Sequence, residues 1–290
     1  MSARLRAGIL LLVLAIGTTG GTTLAQTILL PRPVPSFNQN YVDGPDAWGD
    51  CPLGTSGCPD RISTTGCLVS AFSCVLAYYE IELDVSAGFS CTGSARSGMD
   101  PGILNDWLRE HGGFGRCAQD PYGSCCLIWD ELPDRIELTE YSNRSETGVN
   151  PVASVVIDHA LREGRPIIAG VHWDPFCRAG SDQAEDCHWV VVTGKVGETY
   201  TIVDPINPDS ADRLGVRTTL DAGTRGHYII DRFYVVSALP AEDETGEIHV
   251  LPGDSAGTDE TEGLPGAGLA LALLGLAAAA VAIIFVVSRR

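Results

Sequence analysis

Two uncharged apolar runs of unequal length bracket this chain, and they decide which residues can fold and in what redox surroundings. Arg4 and Arg6 precede an apolar run from Ile9 to Ile16, small and polar residues follow, and Thr23-Leu24-Ala25 offers a cleavage site before Gln26. That order is the order of a secretory signal peptide over 1–25, and its run is shorter than the roughly 20 apolar residues a bilayer span needs. At the other end, Leu264 to Val287 carries no charge and stops at Ser288-Arg289-Arg290. This run is long enough to span, and the terminal arginines belong on the cytoplasmic side. The expectation is a single-pass protein of the cell surface or a periplasm-facing membrane, with a transmembrane helix over 264–287, a tail over 288–290 and an ectodomain outside the cytoplasm.

Between the ectodomain and the span, residues 241–263 are acidic and rich in Gly, Ser and Thr. Such a composition buries too little apolar surface to fold and reads as a disordered tether. Residues 33–240 remain, enough for one domain with a proper core. The formal charge is -18 and Lys195 is the only lysine. Nucleic acid is therefore not an expected partner, since its binding depends on basic side chains that neutralise phosphates. The membrane is, through the C-terminal run.

Ten cysteines in an exported chain should mostly be disulfides. Cys51 and Cys58 bracket one Gly/Pro turn, and Cys177 and Cys187 another polar excursion. Cys91, Cys117, Cys125 and Cys126 could supply two more bridges of open connectivity. Cys67 and Cys74 cannot pair with each other. Seven residues of helix separate their backbones by about 10.5 Å, against a limit of roughly 7 Å for bridged Cα atoms. Cys74 reads as a small buried hydrophobe. Cys67 follows Gly66 at the start of a helix over 66–79, with capping hydroxyls on offer at Ser63, Thr64 and Thr65. A thiol there meets the positive end of the helix dipole, which favours thiolate, and the Cys67 N–H could donate to an oxyanion. The plainer alternative is that Cys67 is a further disulfide half or a core residue.

A nucleophilic cysteine needs an imidazole, and the imidazole an orienting group. Of six histidines, His249 falls in the tether, His111 and His159 on helix surfaces, and His227 at the head of a strand. His188 opens "HWVVVTG", which is followed by "KVG" and "ETYTIVDP". A three-residue loop Lys195-Val196-Gly197 pairs Gly194 with Glu198 and sets His188 directly opposite Asp204. A slip of one residue would send the two to opposite faces. A competing set, His172, Asp174, Cys177, Cys187 and His188, could be read as zinc ligands. Its spacing is irregular, and disulfide use of the two cysteines fits the compartment better, so neither metal nor cofactor is expected.

The order Cys67, His188, Asp204 resembles that of papain-like cysteine peptidases, and more closely their double-glycine leader peptidase-like branch. "VPSFNQNY" looks like the family's opening "VP-x-x-x-Q" strand, and "TTGCLVSAFSCVLAYY" like its "GC-x-x-(S/T)-(S/A)" nucleophile helix. "MDPGILNDWLREHGGF" resembles the next helix, and "LREGRPIIAGV", "HWVVVTG" and "IVDP" the closing half. The resemblance implies an α+β, papain-like fold: a helical N-terminal lobe carrying the nucleophile, then an antiparallel sheet. Helices are expected over 66–79, 101–111 and 152–164, and strands near 166–173, 188–194, 198–204 and 227–237. It further implies Cys67 as nucleophile, His188 as general base and acid, Asp204 as orienter and Gln39 as an oxyanion donor. The cysteine-rich insertions depart from a minimal member, and no transporter domain adjoins. The function expected is a thiol hydrolase of peptide or amide bonds, acting on a peptide or protein substrate. A transpeptidase, a cell-wall amidopeptidase and a non-catalytic surface module on the same fold are the alternatives.

Overall fold

The computed structural model describes residues 26–116, 125–142, 151–173, 188–207, 210–220, 228–242 and 248–249. The expected signal peptide and transmembrane helix, Cys117, Asp174, Cys177, Cys187 and His227 lie outside the described residues. Among those described, no helix is long and apolar enough to cross a membrane. The chain divides into two units, 1–239 and 240–290. In the second, within the stretch expected to be structureless, Ala241–Glu242 pairs antiparallel with Ile248–His249.

The first unit opens with β1 (Thr27–Leu29), then α1 (Ile62–Thr65) and α2 (Cys67–Tyr78). It therefore takes in residues ahead of position 33, where the ectodomain was expected to begin. Two short strands, β2 (Leu83–Val85) and β3 (Arg96–Gly98), precede α3 (Pro101–Glu110). After β4 (Phe114–Gly115), β5 (Cys126–Leu127) and β6 (Ile136–Ser142) comes α4 (Pro151–Arg162). The closing half is β7 (Ile167–Trp173), β8 (His188–Val196), β9 (Thr199–Asp204), β10 (Val216–Thr219) and β11 (Tyr228–Ala238).

The helices follow from their sequences. The α2 stretch is apolar almost all round and is accordingly buried on nearly every side, from Val69 to Leu76. In α3 the Asp100 side chain caps the first turn, accepting the Ile103 N–H at 2.8 Å, and Pro101 takes the first helical position, where no N–H is needed. In α4 Ala153, Ile157, Ala160 and Leu161 form the buried stripe of an amphipathic helix.

The main sheet runs β10-β9-β8-β7-β11-β6, with β1 added beside the C-terminal half of β8. All its pairings are antiparallel. Its central strands are Val/Ile runs buried on both faces, with α2 against β8 and β7 and α4 against β1, β7 and β8. The result is a mixed helix-and-sheet unit with a mostly antiparallel sheet. The segment from Val34 to Gln39, expected as a strand, joins no ladder.

The β8–β9 register differs from the expected one. Val196 pairs with Thr199, so the loop is the two residues Gly197-Glu198, and Gly197 (φ 62°) takes the first central position, where a type II′ turn requires it. The ladder then shifts between Gly194↔Thr201 and Val192↔Ile202, leaving Thr193 as a bulge. Continued from Val191↔Val203, this register puts Asp204 opposite Val190 rather than His188. The offset is two residues. Being even, it keeps His188 and Asp204 on one face, diagonal to each other.

The cysteines also pair otherwise than their spacing suggested. Cys51 bridges to Cys91 and Cys58 to Cys125, and Cys126 is disulfide-bonded as well. The 51–61 segment forms a small hairpin, with Pro52 opposite Arg61 and the Ile62 N–H bonded to the Cys51 carbonyl. Cys51 therefore sits at the base of that hairpin and Cys58 near its tip, where the Cys58 N–H reaches the Thr55 carbonyl. A Cys51–Cys58 bridge does not form.

Candidate active site

Cys67 is the first residue of α2, partly exposed and not disulfide-bonded. The approach to it is tighter than the sequence suggested, because α1 ends one residue earlier. Gly66 is the hinge: a Cβ there would stand 2.5 Å from the Ile62 carbonyl oxygen and 2.7 Å from Ile62 Cα. No larger residue lets the two helices abut so closely. The hydroxyls expected to cap α2 are used otherwise, for Thr64 Oγ1 accepts the Arg61 N–H at 3.0 Å within α1. Side chains therefore cap none of the first N–H groups of α2, and Cys67 sits among them. Cys74, two turns on, is fully buried, and that burial pushes its thiol up to about 12.

His188 enters at the first position of β8, where it is fully buried. Its Nε2 and Asp204 Oδ1 are 2.7 Å apart, and Cys67 is near enough to act on its charge. Burial alone would lower the pKa of His188. Hydrogen bonds and charge from Asp204 and Cys67 outweigh it, and the result is raised to about 9.

Asp204 has no exposed surface, and three donors converge on it. Besides His188, the Ile206 N–H bonds Oδ1 at 2.9 Å and the Tyr228 hydroxyl donates to Oδ2 at 2.7 Å. Burial pushes its carboxyl up, but the hydrogen bond and charge of His188, then the Tyr228 and Ile206 bonds, bring it below the ordinary value. Tyr228 stands on β11, and β7 and β8 lie between it and β9. Three strand steps in a flat sheet would span about 14 Å, so a direct bond requires the sheet to coil at this end. The Tyr228 ring also lies 5.8 Å from the imidazole, centroid to centroid. Tyr228 was not among the expected site residues. Its only signal was its place at the head of a strand, next to His227.

Gln39 is buried and tied on two sides. Its backbone N–H donates to the Pro205 carbonyl at 2.8 Å, and its Nε2 to the Ser63 carbonyl at 3.1 Å, one turn before Cys67. Asn38, also buried, stitches the same segment to the loop after β9. It donates to the carbonyls of Ser210 and Asp212 and accepts the Asn207 N–H. Gln39 is thus fastened at the start of α2 and beside the residue that follows Asp204.

Of the residues that could be read as zinc ligands, His172 and His188 are described, and they lie on opposite faces of the sheet. Val171 pairs with His188, which puts His172 on the opposite face of the sheet, and there His172 Nδ1 lies 2.8 Å from both oxygens of Asp231. Asp231 reaches it from a bulge in β11.

No family model matches this chain, and no curated protein matches it. A structural match is found to the SERA5E crystal structure from Plasmodium falciparum, 14% identical over 70% of this chain and 90% of that one. Its TM-score is 0.30, too low to carry an argument about fold or function.

Proposed function

We propose that this chain is an extracytoplasmic thiol hydrolase that cleaves a peptide or amide bond, an outlying papain-like cysteine peptidase. The reading rests on one observation: an unbridged thiol at a helix start beside a buried imidazole whose Nε2 stands 2.7 Å from a buried carboxylate. The bridges Cys51–Cys91 and Cys58–Cys125 favour an oxidising compartment.

In this mechanism His188 stays an imidazolium at neutral pH, the arrangement in which a paired cysteine is used as thiolate. The Cys67 sulfur attacks the substrate carbonyl carbon, and the oxyanion forms where the Cys67 N–H and the Gln39 amide can donate. His188 gives its proton to the leaving amine as the C–N bond breaks, leaving an acyl-enzyme. Water then attacks with His188 as base, the C–S bond breaks, and the acid product departs. Asp204 holds the ring throughout and stabilises its charge.

Labelling tests this. The folded ectodomain should take up iodoacetamide rapidly at Cys67, and Cys67→Ala should abolish both that labelling and hydrolysis of a thiol-directed peptide probe without loss of fold. Hydrolysis that survives Cys67→Ala, or a Cys67 that never labels, sinks the proposal in favour of a binding module.

A further inference from the structure

Beyond the reacting groups, the loop between β9 and β10 offers a cation. The Arg213 side chain is 51% exposed, while its backbone carbonyl accepts the Asn38 N–H at 2.9 Å. Its guanidinium lies 5.1 Å from the ring centroid of Trp48. That indole is fully buried, braced by Tyr41 and Phe37, and its Nε1 donates to the Asn38 carbonyl at 2.8 Å. Stacking on an immobile ring holds the planar fork in place before anything binds it.

Charge separates Arg213 from other arginines of the chain. Arg32, Arg61 and Arg165 each hold a carboxylate of their own. Among the described residues the carboxylate nearest Arg213 is Asp100, whose Oδ2 stands 4.0 Å away and already accepts Arg96 at 2.7 Å. Asp100 Oδ1 is taken by the Ile103 N–H. Two guanidinium groups over one carboxylate leave a positive charge over, in a chain whose formal charge is -18.

Position gives that charge a use. Asn38, which holds both Arg213 and Trp48, precedes Gln39, and Gly49, which follows Trp48, accepts the Ser63 N–H at 2.9 Å. Ser63 in turn accepts Gln39 Nε2. The cation therefore belongs to the same connected patch as the oxyanion donor. A substrate lying extended along that patch, advancing about 3.3–3.6 Å per residue, would carry its side chains toward Arg213.

We propose that Arg213, stacked on Trp48 beside Gln39, forms a carboxylate-recognising subsite that selects substrates with an acidic group a few residues from the scissile bond. The group is an Asp or Glu side chain or a free C-terminal carboxylate, since the bidentate fork fits each alike. The inference deepens the hydrolase reading and rests on it for its biological use, though binding can be measured without turnover.

The test uses fluorescein-labelled octapeptide pools of neutral composition. They end in a carboxylate or an amide, with or without one internal Glu, and are offered to Cys67→Ala for binding and to the unaltered ectodomain for cleavage. Carboxylate-bearing pools should bind at least tenfold tighter. Arg213→Gln should erase that difference through KM while leaving cleavage of the neutral amide pool unchanged. A preference for the acid terminus alone identifies the α-carboxylate as the ligand; a preference for Glu in both contexts identifies a side chain. Equal binding of all pools, or a preference that survives Arg213→Gln, overturns the subsite. Cleavage without preference defeats the subsite and spares the hydrolase reading, and Arg213-dependent binding with no cleavage of any pool does the reverse.

Discussion

At the scale of single residues, the site turns on how an anion is kept in a place without water. Asp204 is fully buried, and its charge is sustained by the donors that converge on it, Tyr228 among them. Tyr228→Phe removes one donor and leaves Oδ2 short of a partner. A hydrogen bond to a buried charge contributes about 1.5–3 kcal/mol, so the substitution should lower stability by that order. It should also weaken the hold of Asp204 on the imidazolium. The groups that face His188 are Asp204 on β9, Cys67 on α2 and Tyr228 on β11, while its β7 neighbour Val171 carries no charge. The alkaline limb of kcat/KM, expected near the raised His188 pKa of about 9, should move to lower pH in Tyr228→Phe. A pH–rate profile that keeps its limb in place would limit Tyr228 to a packing role. Labelling discriminates between the two thiols: Cys67 should react in minutes, and Cys74, held protonated by burial, only after unfolding.

At the scale of elements, two backbone details carry the geometry. Gly66 lets α1 run almost directly into α2, and Gly66→Ala would drive a methyl group against the Ile62 backbone. Overpacking of this kind costs about 1–3 kcal/mol, which thermal denaturation would register, and labelling of Cys67 should slow with it. The second detail is the Thr193 bulge. The long helices and central strands were legible in the sequence because their apolar stretches are long and bounded by polar or turn residues: α2, α3, α4, β7, β8, β9 and β11 lie where they were expected, within a few residues at their ends. The Cys67–His188–Asp204 juxtaposition was legible too, although the register argued for it was not the one adopted. A three-residue loop and a two-residue loop with a bulge have the same glycine in common, and nothing local in "TGKVGET" chooses between them. The difference in turn alone would have placed His188 and Asp204 on opposite faces. The bulge restores the parity, and Gly194 next to it is required, since a Cβ there would meet the Ile28 carbonyl at 2.7 Å. Tyr228 was not legible because it reaches Asp204 only through the coiling of the sheet, which no local pattern encodes. The disulfide partners were hidden for a similar reason, being 40 and 67 residues apart.

For the molecule as a whole, the two central ionisations should limit stability at opposite ends of the pH scale. The folded pKa of His188 lies above its ordinary value of 6.5. Its contribution is complete below about 6.5 and is lost as pH rises through about 9. Asp204 is shifted the other way, so its contribution is present above 3.8 and is lost as pH falls through a lower value. Tm should therefore be highest between these limits, and His188→Ala should flatten its decline on the alkaline side; an unchanged decline would show that other groups govern it. The disulfides act on a different property. Cys58–Cys125 closes a ring of main chain that takes in α1, α2 and α3. A single proteolytic cut inside that ring, at Arg116 for instance, divides the polypeptide without releasing a fragment. A clipped form would then migrate as one intact band until a reductant is added, and Cys67 would stay tied to the strands that carry His188 and Asp204.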